Sequence, residues 1–400
     1  MGVIEGLTHL GLGKLDDGRS LVPRVLPGEV VEVTQEGTLR IITPSGDRVA
    51  APCRHFKSCG GCAMQHASDP FVAEWKTGIV RKALQAHGLE PNFRTTHTSP
   101  AKSRRRSKLS ARRTKKGATV GFHARASNLL IPVPDCQLLT PRLGDAIPAL
   151  EILTTLVASR KEEIALTVTD TTVGTDIHIQ TEQKLTSEMR MNLAEFSREY
   201  GVSRLTWLDE PVVEMAPPFQ QFGKARVVPP PAAFLQATLE GENALVTDVL
   251  EISERAKTVV DLFAGCGTFT LPLAETAEVH AIEGEEPMLA ALDKGWRLAH
   301  GLKRVTTETR DLFRRPLEPD ELARFDAAVI DPPRAGAEAQ IATLAQSSVR
   351  TIAMVSCNPV TFARDAAQLV GAGYDLKWVR VVDQFRWSSH VEMVASFTRL

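Results

Sequence analysis

Residues 258–269 read TVVDLFAGCGTF, and this stretch decides the fold of the carboxyl-terminal part of the chain. A β-branched run passes through Asp261 and Phe263 and then enters a glycine turn. Gly265 and Gly267 let the backbone of that turn approach a ligand closely. A turn of this kind, between the end of a strand and the start of a helix, is where a doubly wound sheet binds its ligand. The stretch therefore predicts the first strand and the ligand-binding loop of an α/β domain.

Strand-like runs recur after this turn, with helix-like runs between them. Apolar and β-branched residues dominate segments 279–282, 326–330 and 351–355. Strands that alternate with helices predict a mostly parallel, doubly wound sheet. The proline-rich run 228–231 precedes this pattern and marks a boundary, so we predict a Rossmann-like domain over residues 229–400.

The type of cofactor is indicated by what the glycine turn lacks. Thr270 occupies the position of the third glycine of the dinucleotide fingerprint. Glu283 stands at the tip of the next strand, about where a carboxylate holds ribose hydroxyls. With Asp261 and Phe263 before the turn, the missing glycine favours S-adenosylmethionine over NAD. Taken alone, the loop is equally compatible with a structural turn that binds no cofactor.

Two later loops, each at the carboxyl end of a predicted strand, carry reactive side chains. Asp331 begins the run Asp-Pro-Pro-Arg, whose prolines stiffen a loop beside the predicted cofactor pocket. Cys357 lies in Ser-Cys-Asn-Pro, on a stiff turn and outside any apolar run. That position favours a nucleophile over a buried structural thiol, which is the commoner role of a lone cytosolic cysteine. Glu392, in His-Val-Glu near the end of the sequence, is a carboxylate suited to proton removal.

A second set of cysteines lies far from this cluster in the sequence. Its members are Cys53, Cys59, Cys62 and Cys136. Four thiolates fit either a tetrahedral zinc ion or an iron–sulfur cluster, and the spacing alone does not choose between the two. Unligated cysteines are the remaining alternative.

The sequence before residue 229 predicts two further domains. Valine-rich runs separated by glycine and proline turns predict a small antiparallel β-barrel over residues 1–52. Residues 53–228 are predicted to form a β-rich central domain that contains the four cysteines. Within it, the stretch from Lys102 to Arg125 holds ten Lys or Arg residues and no Asp or Glu.

The carboxyl-terminal block resembles the RNA 5-methyluridine methyltransferase family, in its iron–sulfur-containing 23S ribosomal RNA branch with an N-terminal TRAM-like domain, an oligonucleotide-binding-type (OB-like) barrel. The motifs that carry the resemblance are Phe234-Leu-Gln236, Asp261 to Gly267, Asp331-Pro-Pro-Arg334, Ser356-Cys-Asn-Pro359 and His390-Val-Glu392. The resemblance implies methylation of uracil carbon 5 in RNA with S-adenosylmethionine. It implies that Cys357 adds to uracil C6 and that Glu392 removes the C5 proton.

The resemblance also assigns ligands. It implies that the cofactor contacts are Gln236, Phe263, Gly265, Gly267, Thr268, Glu283 and Asp331. For Cys53, Cys59, Cys62 and Cys136 it implies a [4Fe-4S] cluster with a structural role. The sequence departs from the family at Thr238 and Thr268, where Asn is common, and Arg386-Trp387 replaces a frequent Pro-His pair. The last change suggests a shifted substrate preference.

An RNA substrate gives the basic stretch a function, since lysine and arginine bind phosphates without reading sequence. We favour 23S ribosomal RNA, because the cysteines and the barrel resemble those members more than the compact tRNA enzymes. The alternatives are a tRNA uracil-C5 methyltransferase and a catalytically inactive RNA-binding iron–sulfur protein. An amino-group methyltransferase is disfavoured, because Arg334 replaces the aromatic residue that such enzymes place after their two prolines.

The bulk composition predicts a cytoplasmic protein. The 400 residues suit two or three domains, and the net charge of −1 gives no general affinity for nucleic acid. No apolar run is long enough for a membrane span, and no secretory signal is visible. Six cysteines are too few for a disulfide-stapled secreted fold of this length. No protein partner is implied.

Overall fold

The computed structural model describes residues 1–33 and 39–399. The described part of the N-terminal region forms an antiparallel sheet in the order β3-β2-β1-β4-β5, with its own small apolar core. The strands are β1 (Gly2–Leu7), β2 (Leu12–Leu15), β3 (Leu21–Pro23), β4 (Val30–Val33) and β5 (Leu39–Thr43). Residues 34–38 of the predicted barrel and residue 400 lie outside the described residues. Closure of this sheet into an OB-like barrel stays a prediction.

A long helix follows, and two short strands come after it. They are α1 (Asp69–Gln85), β6 (Asn92–Phe93) and β7 (His97–Thr98). Helix α1 begins at Ser68, whose hydroxyl accepts a hydrogen bond from the Phe71 amide at 3.4 Å. Val80 and Leu84 on its buried face join the core of the carboxyl-terminal sheet.

The central sheet has the order β10-β9-β8-β11-β12-β13-β14, in which β12 and β13 are parallel and the other neighbours are antiparallel. Helix α4 makes the crossover between the two parallel strands. A hairpin of β15 and β16 follows the sheet. The elements are β8 (Arg106–Arg113), β9 (Ala118–His123), β10 (Leu130–Pro132), α2 (Pro141–Asp145), α3 (Ile147–Val157), β11 (Glu163–Thr171), β12 (Gly174–Gln180), α4 (Ser187–Glu199), β13 (Val202–Trp207), β14 (Glu210–Glu214), β15 (Gln220–Phe222) and β16 (Ala225–Val227).

The carboxyl-terminal region forms the doubly wound sheet that the sequence predicts. Its elements are α5 (Leu239–Ile252), β17 (Thr258–Leu262), α6 (Thr270–Leu273), β18 (Glu278–Glu283), α7 (Glu286–Leu298), β19 (Val305–Thr309), α8 (Pro319–Leu322), β20 (Ala327–Ile330), α9 (Glu338–Gln346), β21 (Thr351–Ser356), α10 (Pro359–Gly371), β22 (Asp375–Asp383) and β23 (Met393–Thr398). The strands predicted at 279–282, 326–330 and 351–355 are confirmed to within one residue at each end.

The strand order of this sheet shows where a ligand crevice is expected. The order is β19-β18-β17-β20-β21-β23-β22, with β6 and β7 pairing along β22. The five strands from β19 to β21 are parallel, and β23 is antiparallel to both of its neighbours. The order reverses between β17 and β20, so the crevice opens at the carboxyl ends of these two strands.

Helices cover both faces of this sheet. Apolar residues of α1, α9 and α10 pack on one face, and those of α5 and α7 pack on the other. Strand β20 reads Ala-Ala-Val-Ile and is fully buried, as a parallel strand covered on both sides must be. Helix α1 and strands β6 and β7 therefore lie with the carboxyl-terminal sheet, although they come early in the sequence. The predicted domain boundaries stay predictions.

None of the helices in the described residues is both long enough and apolar enough to cross a membrane. The cytoplasmic location stays a prediction.

The basic stretch from Lys102 to Arg125 is not a single exposed surface. Arg105 is only 7% exposed, and its guanidinium forms an ion pair with the buried Glu242 of α5. Its Nε donates a hydrogen bond to the backbone oxygen of Gln236 at 3.1 Å. Arg105 therefore joins the central sheet to the carboxyl-terminal one and is unavailable to RNA. The exposed members are Lys102, Lys108, Arg112, Arg113, Lys115, Lys116 and Arg125.

Arg105→Met should lower the free energy of unfolding by about 3–5 kcal/mol, because Glu242 is left buried without its counter-charge. Arg112→Met is the matched control: its ion pair with Glu163 is exposed, with Arg112 at 50%, so about 0–1 kcal/mol is expected. Urea titration followed by circular dichroism measures both values. Equal losses in the two variants would contradict the role given to Arg105.

Candidate active site

The crevice at the carboxyl ends of β17 and β20 is lined by buried acidic groups. Asp261 near the end of β17 is fully buried, and its Oδ2 accepts a hydrogen bond from the Thr270 hydroxyl at 2.5 Å. Its Oδ1 has no hydrogen-bond partner among the described residues. Burial raises the pKa of Asp261 to about 7. Asp331, directly after β20, has its pKa raised to about 7 by burial and by the charge of Asp261.

The glycine turn after β17 follows the conformation that its sequence predicts. Gly265 has φ +56° and Gly267 has φ +94°, in the left-handed region that favours glycine. A Cβ on Gly267 would lie 2.8 Å from Leu292, so close packing against α7 requires a glycine there. A Cβ on Gly265 would meet no atom closer than the Met288 methyl at 3.7 Å. The turn is therefore packed on its helix side and open at Gly265.

Phe263 and Glu283 flank this turn. Phe263 has φ +65°, a strained conformation for a residue with a Cβ, and its ring lies 5.4 Å from that of the exposed Phe313. Glu283, the last residue of β18, accepts hydrogen bonds from the Gly265, Gly284 and Glu285 amides at 2.7–3.1 Å. Thr268 is half-buried at the far end of the turn.

A continuous chain of polar side chains crosses the site. Gln236 Nε2 donates to Asp331 Oδ2 at 3.3 Å, and Gln236 Oε1 accepts from Gln384 Nε2 at 2.5 Å. Gln384 Nε2 also donates to Glu392 Oε2 at 3.1 Å, and its Oε1 accepts from the Ala237 amide at 2.6 Å. Gln236, Gln384 and Glu392 are each 2% exposed. Asp331 and Glu392, which lie on different loops, are thereby connected through two amides.

Cys357 lies beside this chain, between the end of β21 and the first residue of α10. Asn358 caps α10 by accepting a hydrogen bond from the Val360 amide at 3.1 Å. The Asn358 amide group also donates to the backbone oxygen of Arg334 at 2.8 Å. Arg334 Nη2 lies 3.0 Å from His390 Nδ1. The loops that carry Asp331, Cys357 and Glu392 are therefore fastened to one another.

The electrostatics of the site hold protons on both candidate catalytic groups. Burial and, to a smaller extent, the charges of Glu392 and Asp331 raise the pKa of the Cys357 thiol to about 11, against an opposing effect of Arg334. Burial and then the charge of Asp331 raise the pKa of Glu392 well above its usual range. Because the charge of Glu392 raises the pKa of the Cys357 thiol, the thiol and the carboxylate lie within electrostatic reach of each other.

The four cysteines that were predicted to bind a metal or a cluster line one small cavity. Cys53, Cys59, Cys62 and Cys136 line it together with Phe56, Phe122, Val133 and Leu138. Burial, together with the charges of the neighbouring cysteines, raises the pKa of Cys62 to about 12. Across the described residues, no three His, Cys, Asp or Glu side chains approach closely enough to hold a single metal ion.

Comparisons with known proteins bear directly on this arrangement. The family model described as tRNA (uracil-5-)-methyltransferase matches residues 297–399. The chain is 42% identical to an uncharacterized RNA methyltransferase from Mesorhizobium japonicum, over 96% of this chain and 94% of that protein. It is 33% identical to the 23S rRNA (uracil(1939)-C(5))-methyltransferase of Aromatoleum aromaticum, over 99% of both chains.

The chain belongs to the RNA uracil-C5 methyltransferase family. Its fold is similar to that of the tRNA (uracil-54, C5)-methyltransferase of Pyrococcus abyssi, solved with S-adenosyl-L-homocysteine. The TM-score is 0.75 over 99% of both chains, at 21% identity. The protein is thus an S-adenosylmethionine-dependent RNA methyltransferase with a mixed α/β fold.

Sequence reasoning about this RNA methyltransferase missed Gln384. It stands between Asp383 and Phe385 with no neighbouring motif, and only the tertiary structure brings its amide to Gln236 and Glu392. Thr238, a departure from the family pattern, caps α5 by accepting a hydrogen bond from the Gly241 amide at 3.0 Å. That substitution therefore preserves a helix cap.

The raised pKa of Cys357 predicts its reactivity in the RNA-free enzyme. Iodoacetamide reacts with the thiolate, so alkylation of the Cys357 peptide should rise about tenfold per pH unit between about pH 7 and about pH 9. Glu392→Gln should accelerate alkylation at pH values where Glu392 is ionised, because a nearby negative charge is then removed, and should leave the rate unchanged at lower pH, where Glu392 is protonated and neutral. Mass spectrometry of the digested protein measures the rate. An alkylation rate that begins to level off above about pH 8.5, as it does for an ordinary thiol, would contradict the raised pKa of Cys357.

Proposed function

We propose that this RNA methyltransferase modifies a uracil of 23S ribosomal RNA through a covalent adduct between Sγ of Cys357 and uracil C6. The observation that carries the proposal is the buried chain Asp331–Gln236–Gln384–Glu392 beside the Cys357 thiol. A thiol and a carboxyl group that sit together at the ligand-bearing end of this sheet suit the two half-reactions that uracil C5 methylation requires.

Uracil C5 is a poor nucleophile, and Cys357 corrects this. Its thiolate adds to C6 and shifts the ring π electrons to C5, which then carries enolate-like character. S-adenosylmethionine, when bound, supplies the electrophilic methyl group as a sulfonium. Glu392 next removes the proton from the methylated C5, the ring double bond re-forms, and the C6–S bond breaks to regenerate the Cys357 thiolate. The thiol loses its proton before it adds to C6, whereas C5 loses its proton to Glu392 only after methyl transfer.

The raised pKa values fit this sequence of events. A carboxyl group whose pKa is raised by burial is a stronger base when it ionises, which suits Glu392 for removing a carbon-bound proton. The Cys357 thiol, with a pKa of about 11, needs help to ionise. Arg334 lowers that pKa, and a bound sulfonium cation acts in the same direction.

The cofactor site would be formed by the glycine turn and its neighbours. The open face at Gly265 and the unpartnered Asp261 Oδ1 fit a ligand at the switch point. Glu283 would hold the ribose, and Asp331 the cationic methionine moiety. The proposed contacts are Gln236, Phe263, Gly265, Gly267, Thr268, Glu283 and Asp331.

The choice of 23S ribosomal RNA is supported by the Aromatoleum aromaticum relative, which aligns along nearly the full length of both chains. A tRNA substrate is the alternative, since the matching family model carries that description. The exposed lysines and arginines between Lys102 and Arg125 would bind RNA phosphates. The target base must leave its stack to reach the half-buried Cys357 thiol.

We also propose that Cys53, Cys59, Cys62 and Cys136 bind a [4Fe-4S] cluster. The four half-buried thiols line one cavity. Burial and then the charges of neighbouring cysteines raise the pKa of Cys59, Cys62 and Cys136, so as thiolates they need a cationic ligand. A cluster is several atoms across and accepts ligands that lie farther apart than those of one ion. The support for the cluster is the one cavity that all four cysteines line.

The covalent mechanism predicts distinct defects for the two catalytic residues. The substrate is a 23S ribosomal RNA fragment around uracil 1939, compared with an unmodified tRNA transcript. Cys357→Ala should transfer no methyl group and form no complex that survives SDS, while still binding S-adenosylmethionine. Glu392→Gln should form the SDS-stable complex once and not release it.

Methyl transfer by Cys357→Ala above background would remove Cys357 as the nucleophile. Rapid release of RNA by Glu392→Gln would show that another group takes the C5 proton. Methylation of the tRNA transcript in preference to the ribosomal fragment would overturn the proposed target and leave the mechanism standing.

The proposed [4Fe-4S] cluster implies a defined iron content. Anaerobically purified protein should be brown and contain about four irons per chain. Cys136→Ser should lose most of the iron, whereas Cys266→Ser, a buried cysteine outside the cavity, should keep it. Elemental analysis and the visible spectrum measure both. Stoichiometric zinc in place of iron would contradict the assignment.

A further inference from the structure

The loop that carries Gln384 and Glu392 is held from outside its own sheet. This catalytic loop, residues 384–392, connects β22 to β23. It lies against residues 63–76, which comprise the chain after Cys62 and the first half of α1; we call them the anchoring segment. The family model covers the loop and not this segment, since it matches residues 297–399.

Lys76 is the centre of the contact. Its side chain is 0% exposed although it carries a charge. Its Nζ donates hydrogen bonds to Asp383 Oδ1 at 2.6 Å, to the Phe385 carbonyl oxygen at 3.1 Å and to the His390 carbonyl oxygen at 2.8 Å. An ammonium group has three donors, and all three are used. Lys76 therefore ties the beginning of the catalytic loop to its end.

Two further contacts hold the middle of the loop. The amides of Ala63 and Met64 donate to the Trp387 carbonyl oxygen at 2.7 and 3.0 Å. Arg386 makes two hydrogen bonds with the Asp69 carboxylate, at 2.6 and 2.8 Å. Arg386-Trp387 is the pair that departs from the family pattern. This pair contacts the anchoring segment, and Arg386 also donates to the Ser99 backbone oxygen at 3.1 Å. These contacts give the departure from the family pattern a structural role other than substrate selection.

Stability alone does not account for Lys76. Taking an ammonium and a carboxylate out of water costs several kcal/mol per ion, and a buried ion pair is often no more stabilising than an apolar pair of the same volume. Hydrogen bonds from the same ammonium to two carbonyl groups of the loop fix a conformation, which an apolar residue cannot do. Burial lowers the pKa of Lys76 and Asp383 opposes that effect, so the two groups depend on each other.

We propose that Lys76 is a positioning residue for the proton-removal step: by closing the catalytic loop it sets the position of the Glu392 carboxylate. This inference rests on the covalent mechanism proposed above. Lys76 contacts neither the Cys357 loop nor the Asp331 loop in its hydrogen bonds. Its loss should therefore slow the step that depends on Glu392 more than the addition of Cys357 or the transfer of the methyl group.

The test separates these two steps in one reaction. The 23S ribosomal RNA fragment is labelled with tritium at uracil C5, and S-adenosylmethionine carries a carbon-14 methyl group. Methyl incorporation into RNA reports the first half-reaction, and tritium release to water reports proton removal. In wild type, methyl incorporation and tritium release should proceed at the same rate. In Lys76→Met, methyl incorporation should run ahead, with tritium release slowed about ten- to a hundredfold and SDS-stable complex accumulating.

Matched variants distinguish positioning from general damage. Arg204→Met removes a similarly buried ion pair, with Asp176 in the central sheet, that does not touch the catalytic loop. It should lower thermal stability and leave the two rates coupled. Lys76→Arg, which keeps the charge, should restore part of the coupling. Should Lys76→Met fail to fold, the double variant Lys76→Met with Asp383→Asn removes both charges and carries the same test.

Coupled rates of methyl incorporation and tritium release in Lys76→Met, or in its double variant with Asp383→Asn, would overturn the proposal. A parallel fall of both rates, as in Arg204→Met, would do the same. A wild-type enzyme that transfers methyl groups without any covalent complex would instead overturn the covalent mechanism, and the role of Lys76 with it. The two failures are distinguished by the wild-type reaction.

Discussion

The Gln384 side chain is the contact on which the site depends. Its amide donates to both Gln236 and Glu392, and its carbonyl oxygen accepts from the Ala237 amide, so the side chain is fully engaged. Buried amides and carboxylates are costly unless they are all paired. Through this amide, the proposed base and Asp331 at the cofactor crevice are held as one unit, although they belong to separate loops.

The remainder of the chain supports this unit from two sides. On one side, Arg105 from the central sheet pairs with Glu242 and binds the backbone of Gln236. On the other, Lys76 and the segment after Cys62 close the loop that carries Gln384. The N-terminal and central parts of the chain thus help to build a site whose reactive groups all lie in the carboxyl-terminal sheet.

The sequence predicted what depends on local pattern and left out what depends on the tertiary structure. The glycine turn, the loop of Asp331 and the loop of Cys357 were found because each follows a recognisable strand. Gln384 and Lys76 carry no local signal, since a glutamine in a loop and a lysine in a helix are ordinary surface residues. Arg105 was misleading, because its position within a basic run indicated RNA contact, whereas the structure buries it against Glu242.

The central claim is that the sulfur of residue 357 becomes bonded to the pyrimidine ring. Substrate RNA containing 5-fluorouracil traps such a species, because fluorine cannot leave C5 as a proton does. The trapped complex is digested with protease and nuclease and sequenced by mass spectrometry. The account predicts a methylated fluorouracil nucleotide attached to the peptide that contains Cys357. A nucleotide attached to any other residue, or methylated RNA with no attached peptide, would contradict it.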